Sequence, residues 1–281
     1  MKSFTATLLG LMLACATGAA AHPGLESTLA LLDPIIASNP RDPALYIARG
    51  AIYSRHGELE RALEDLQRAQ ALGDPVSVAF ELGVLHYRMG EYSRSRLLLG
   101  NWLAGHPGHA EALLYRARAA SADGDPRAAA ADYRTYLADA AAPNPGDYLA
   151  AARLLATDDG AGTGPALELL DQGMKRLGIV PQLQRYAVEL EIERGDVGAA
   201  LRRWRVMQPA LGAGPEWKVG MAELLMRAGR PAQAAEVLQD AREQLHALKP
   251  TPSRRRLLER IELLDTRAPV AQIAKAQPLH T

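Results

Sequence analysis

The sequence predicts an all-α chain built as a stack of helical hairpins. Three observations carry that prediction. A small residue recurs at Ala62, Ser95, Ala129, Ala166, Ala200 and Ala234, at steps of 33, 34, 37, 34 and 34. A large apolar residue follows each by four places, at Leu66, Leu99, Tyr133, Leu170, Trp204 and Leu238. A turn glycine recurs at Gly57, Gly90, Gly124, Gly195 and Gly229. A near-constant step of this kind marks stacked supersecondary units, none of which can bury its apolar stripe alone.

The first unit, Pro43 to Pro75, shows the logic. Tyr46, Gly50 and Tyr53 share one face of a first helix, and Leu59, Ala62, Leu63, Leu66 and Ala69 share one face of a second. These are the i, i+3, i+4, i+7 intervals that give a helix one buried stripe. Gly57 supplies the left-handed residue that ends the first helix, and Pro75 stops the second.

The period resembles that of the tetratricopeptide repeat family, whose unit is about 34 residues with W-x2-L-G-x2-Y…A-x3-F…P spacing. The first unit matches through Tyr46, Gly50, Tyr53, Ala62, Leu66 and Pro75, and the second through Leu82, Gly83, Ser95, Leu99 and Pro107. Later units keep the small and large residues but carry Ala117, Val188 and Ala222 where the first-helix glycine stands. The resemblance implies a right-handed α-solenoid of stacked helix-turn-helix repeats, with first helices lining a concave groove that holds another protein or peptide. Carried onto this sequence, it nominates Ile47, Arg55, Phe80, Val84, Tyr87, Arg88, Leu114 and Arg118 as the partner-binding groove, an apolar floor with three arginines. Arginine forks bind carboxylates and aromatic side chains anchor interfaces, so an apolar peptide with an acidic group suits that surface. Units five and six present Gln182, Arg185, Glu189, Ile192 and Glu193, then Glu216, Val219, Glu223, Met226 and Arg227. That end is more acidic and implies a different partner or segment. The clamp of chaperone-binding members is missing: Ile47 and Ala51 replace its first Lys-x-x-x-Asn pair, and Glu111 and Tyr115 its second pair.

The elements follow in order. Residues 1–21 read as a signal peptide: Lys2 gives the positive start, Phe4 to Ala16 the short apolar core, and Ala19-Ala20-Ala21 a small-x-small cleavage site. A competing reading lipidates Cys15, after Leu11-Met12-Leu13-Ala14. Either way the mature body has no disulfide, which suits the bacterial periplasm or secretion. Residues 22–42 form a half-repeat cap, with Leu25, Leu29, Leu32 and Ile36 on one stripe and Pro34 expected to kink or split the helix. Six units fill 43–248, separated by proline-bearing breaks. Asp158 to Pro165 lengthens the turn of the fourth unit, explains its step of 37 and is a candidate hinge. A capping helix follows at 249–266, with Leu257, Leu258, Ile261 and Leu264 on one face, and a disordered tail at 267–281.

Composition agrees. The 281 residues are 48% hydrophobic but only 5% aromatic, which suits close helix-on-helix packing through alanine and leucine. A formal net charge of +0 gives no electrostatic reason to expect nucleic acid as a partner. No apolar run beyond the leader reaches the length of a membrane span, so none is expected in the mature chain.

No catalytic constellation emerges, and neither an enzyme nor a cofactor is expected. The Gly160-Ala161-Gly162-Thr163-Gly164 run lacks the spacing of a phosphate loop. His106 and His109 have no third ligand nearby and are not read as a metal site. The carboxylates of Glu58, Glu60, Glu64 and Asp65 read as a solvated face. The alternative function is a copper or other metal carrier that uses His22, which cleavage after Ala21 would leave as the mature N-terminus. The favoured function is a periplasmic scaffold for a protein of the cell envelope.

Overall fold

The computed structural model describes residues 25–73, 75–157 and 162–276. The expected leader with Cys15, His22, the middle of the glycine-rich turn and residues 277–281 lie outside them. Every element among the described residues is a helix. The chain divides into two compact units, Met1–Gly105 and His106–Thr281, where the spacing predicts one uninterrupted array. The division falls at the His106-Pro107-Gly108 break, where proline and glycine interrupt helical continuity.

The first unit contains α1 (Leu25–Ser38), α2 (Pro43–His56), α3 (Leu59–Leu72), α4 (Pro75–Arg88) and α5 (Tyr92–Gly105). The pairs α2–α3 and α4–α5 are hairpins, α1 lies against α2, and α3 lies against α4. Pro34 does not split α1, which remains one helix with Leu32 and Ile36 buried. Local chemistry sets the ends of α2. The Asp42 carboxylate accepts from the Ala44 N–H at 2.9 Å, and Pro43 occupies the first turn, where its missing N–H costs nothing. Gly57 has φ 85° and closes the helix with the Glu58 N–H on the Tyr53 carbonyl at 3.0 Å.

The repeated small residues are where the helices meet. Ala62, Ser95, Ala129, Ala166, Ala200 and Ala234 are all fully buried. The first-helix glycines have a steric cause: a Cβ on Gly50 would sit 2.9 Å from Leu66 Cγ, and one on Gly83 would sit 2.6 Å from Leu99 Cγ. The large residue of the second helix thus seats on the bare backbone of the first. Burial of each such leucine is worth about 1.5–3 kcal/mol. Ser95 keeps its hydroxyl satisfied by donating to the Gly83 carbonyl at 2.7 Å.

The second unit contains α6 (Ala110–Ala122), α7 (Pro126–Asp139), α8 (Pro145–Ala156), α9 (Gly164–Leu177), α10 (Pro181–Glu193), α11 (Val197–Val206), the one-turn α12 (Gln208–Leu211), α13 (Pro215–Arg227), α14 (Pro231–His246) and α15 (Pro252–Ala276). Hairpins α6–α7, α8–α9, α10–α11 and α13–α14 stack in chain order. His109, considered above with His106, caps α6: its Nδ1 accepts from the Ala112 N–H at 3.1 Å. The last helix packs Ile261 and Leu264 into the core beside α13 and α14. It runs on to Ala276, so residues 267–276, expected in a tail, are helical. Four alanines in that stretch, Ala268, Ala271, Ala274 and Ala276, favour continuation.

The hairpins also carry ion pairs. Asp65, expected on a solvated face with Glu58, Glu60 and Glu64, is buried instead. Arg49 of α2 forks onto it at 2.7 and 2.8 Å, and reaches Asp33 of α1 at 2.7 Å with its third nitrogen. The position three residues after each small residue reads Asp65, Leu98, Asp132, Leu169, Arg203 and Val237, alternately charged and apolar, and each charged one meets the partner helix of its own hairpin. Asp132 is forked by Arg116 at 2.7 Å through both oxygens. In the third charged layer the polarity reverses: Arg203 holds Glu191 of α10 at 2.9 Å and both oxygens of Asp171 on α9 at 2.6 and 2.9 Å.

Candidate functional site

The regular stacking changes after α11. Trp204 occupies the large-residue position, and its indole needs more room than leucine. The room comes from Gly220 on α13, where a Cβ would lie 2.7 Å from Trp204 Cη2 and 2.9 Å from Cε2. Trp217 lies beside it. The Trp204 Nε1–H donates to the Trp217 carbonyl at 3.0 Å, and the Trp217 Nε1–H donates to the Trp204 carbonyl at 3.2 Å. Two half-buried indoles are thereby locked face to backbone between α11 and α13.

Helices α2 and α4 touch directly, as do α8 and α10; packing is thinner between α6 and α8, and between α10 and α13, where the tryptophan wedge and the short α12 lie. A cleft of about 550 Å³ opens there. Its floor is apolar: Val188 and Ile192 of α10, Trp204, Trp217 and Leu224. Its rim is charged, with Arg185 and Glu189 on one side, Glu216, Glu223 and Arg227 on the other, and Arg260 of α15 closing one end. Arg260 forks onto Glu223 at 2.5 and 2.6 Å, which fixes α15 to α13. Buried Lys218 reaches Asp240 at 2.5 Å and fixes α13 to α14. The cleft therefore has rigid walls, an aromatic floor and both signs of charge at the mouth.

The eight residues nominated from the sequence fall in two places. Six lie on α2 and α4 in the first unit. Of these, Arg55 and Arg88 are exposed, and Ile47, Phe80 and Tyr87 are half-buried. Phe80 lies 6.0 Å from the Trp102 ring, and Tyr87 lies 5.9 Å from the Tyr92 ring. Val84 is buried and packs within the unit. The other two, Leu114 and Arg118, lie on α6 in the second unit. Arg118 is engaged: its Nη2 donates to the buried Asp147 carboxylate at 2.9 Å, which also accepts from the Tyr136 hydroxyl at 3.3 Å. Arg118 thus ties α6 to α8.

The cleft residues Arg185, Glu189, Ile192, Glu216, Glu223 and Arg227 were legible as inward-facing positions of units five and six. Trp204 and Trp217 were not singled out as its floor. The available signal was the pairing of a bulky residue at a second-helix position with a glycine sixteen places later. No group of three or more His, Cys, Asp or Glu side chains that could hold a metal occurs among the described residues. No helix among them is long and apolar enough to cross a membrane.

Comparison with known proteins bears on the fold. Residues 80–145 match the family described as tetratricopeptide repeat. Comparison with curated proteins finds no match. Among solved structures, one similar chain is PilW, described as a widely conserved type IV pilus biogenesis factor: TM-score 0.52, 19% identity, covering 66% of this chain and 85% of that one. Another is MamA, with TM-score 0.50 and 12% identity over 64% of this chain and 100% of that one. A chain of the Naa15/Naa10 structure bound to HypK-THB aligns with 90% of this chain, at TM-score 0.51 and 16% identity, and this chain spans 40% of its length. Recurrent buried small residues, left-handed turn glycines and stacked hairpins agree with these matches, and within each unit the fold is a tetratricopeptide-like stack of helical hairpins.

Proposed function

We propose that this chain is a non-catalytic scaffold, exported to the periplasm, that holds a segment of a cell-envelope protein against its first helices. Tetratricopeptide folds serve protein–protein interaction, which supports the general class. The observation that carries the reading is the cleft between α10 and α13. A rigid apolar floor with two indoles and a polar, charged rim is the anatomy of a protein-binding hot spot. The α2–α4 face with Ile47, Arg55, Phe80, Tyr87 and Arg88 is a second contact surface in the same proposal.

The test uses the full chain, tagged at its C-terminus, with a photo-crosslinking amino acid placed at exposed rim positions. Glu189 and Arg227 report on the cleft, Arg55 and Arg88 on the first unit, and Glu60 serves as a surface control. The expected result is a periplasmic chain with a discrete crosslinked partner from Glu189 and Arg227, absent from Glu60. A chain retained in the cytoplasm refutes the export reading. Equal labelling from Glu60 refutes the assignment of the cleft.

A further inference from the structure

A second cleft of about 490 Å³ adjoins the first and shares Pro215, Glu216 and Arg260 with it. It lies between the start of α13, the end of α14 and the first turns of α15. Its apolar lining is buried Leu245, half-buried Leu257, and Leu248, which is 42% exposed. Its basic wall is Arg254, Arg256 and Arg260. Two of these are committed. Arg254 donates to the Lys249 carbonyl at 2.5 Å, and Arg260 is held by Glu223. The carbonyl bond leaves the charge of Arg254 unbalanced, whereas Glu223 balances that of Arg260. Arg256 is exposed and makes no ion pair among the described residues. The local sequence Lys249-Pro-Thr-Pro-Ser-Arg-Arg-Arg carries four positive charges and no negative one.

Apolar lining beside the guanidinium groups of Arg254 and Arg256, which no carboxylate balances among the described residues, continuous with an aromatic cleft, selects one kind of occupant by charge complementarity. We infer that the α14–α15 cleft binds acidic residues of the same partner segment whose apolar side chains fill the tryptophan-floored cleft, so the partner segment alternates carboxylates with aliphatic or aromatic side chains. This inference rests on the proposed scaffold function and adds the chemistry of its partner.

The test titrates the mature full chain with two blocked synthetic peptides, Glu-Leu-Glu-Phe-Glu-Leu and its counterpart with lysine for glutamate. Trp204 and Trp217 emission and hydrogen exchange in α13 and α15 are the readouts. The acidic peptide is expected to shift the emission and protect both helices, and the lysine peptide is expected to do neither. Arg254→Glu/Arg256→Glu should weaken the acidic peptide at least tenfold, with unchanged circular dichroism. Arg55→Glu, in the other unit, should leave it unchanged. Equal binding of both peptides, no binding of either, or unaltered binding to the double variant overturns the inference. If rim crosslinks to an envelope protein persist in that case, the scaffold reading survives alone; if they are absent too, both fall. Sedimentation with phosphatidylglycerol vesicles that depends on Arg254 and Arg256, without peptide binding, assigns the arginines to a membrane surface and also overturns it.

Discussion

Replacing Gly220 with alanine isolates the contact that shapes the cleft, because two effects of opposite sign compete there. Gly220 lies inside α13, where helix propensity alone favours alanine by about 1 kcal/mol. The new methyl would lie 2.7 Å from Trp204 Cη2 and 2.9 Å from Cε2, well inside contact distance. The indole cannot step aside cheaply, since its Nε1–H is bound to the Trp217 carbonyl and Trp217 is bound back. Overpacking of this kind costs about 1–3 kcal/mol. Loss of the two hydrogen bonds adds about 1 kcal/mol each if the indole is expelled. With the indole expelled these costs outweigh propensity, and a net loss of about 2–4 kcal/mol is expected. Urea unfolding followed by tryptophan emission should show a lowered midpoint, with a red-shifted native spectrum as Trp204 gains water. Hydrogen exchange should place the damage in α11 to α14, because each repeat depends on its neighbours. A variant stabilised by about 1 kcal/mol with native emission unchanged would refute the interlock and leave propensity in command.

Two further predictions concern the first unit. Asp65→Ala leaves Arg49 with Asp33 alone, and should cost about 1–3 kcal/mol, less than a fully buried pair because Asp33 and water still reach the guanidinium. Adding Arg49→Met should recover much of that loss in chemical denaturation, and a double variant no better than the single one would show that the pair is not the cause. His86 is buried with Nδ1 2.8 Å from Glu91 Oε2, and burial, with help from Arg94, holds its pKa below the ordinary histidine value, although Glu91 opposes the shift. The folded state thus prefers neutral imidazole, donating Nδ1–H to Glu91. Its stabilising contribution is complete above the unfolded pKa of about 6.5 and declines as pH falls below it, with a slope of at most about 1.4 kcal/mol per pH unit. His86→Gln should flatten the stability profile between pH 7 and pH 5, and parallel profiles would sink the assignment.

The repeat register could be read because it rests on sterics that leave a mark at single positions. An alanine or serine under a leucine, and a glycine at a left-handed turn, look the same wherever they occur, so Ala62 to Ala234 and Gly57 to Gly229 were found at their structural places. The charged interior could not be read the same way. A carboxylate at position 65 resembles its exposed neighbours Glu60 and Glu64 until Arg49, sixteen residues earlier, is seen to turn toward it. Arg118 was read as groove-facing because its place in the repeat is one that faces inward, yet a partner twenty-nine residues on engages it. The cleft itself came from an exception to the pattern, the Trp204–Gly220 exchange of bulk between helices, and regular spacing is blind to such exceptions. The run of α15 past Thr266 was missed for a related reason: its alanines favour a helix but repeat no apolar stripe.

The charged pairs differ in how far they reach, which bears on how the array can change length. Arg116 and Asp132 close within one hairpin, so that hairpin carries its own neutralising charge wherever it is copied or moved. Arg203 binds Glu191 in its own hairpin and Asp171 in the preceding one, so separating those two hairpins would leave Asp171 without its cation. Viable shortened or lengthened versions of this chain should therefore gain or lose α8 to α11 as a block, whereas α6–α7 can be duplicated singly.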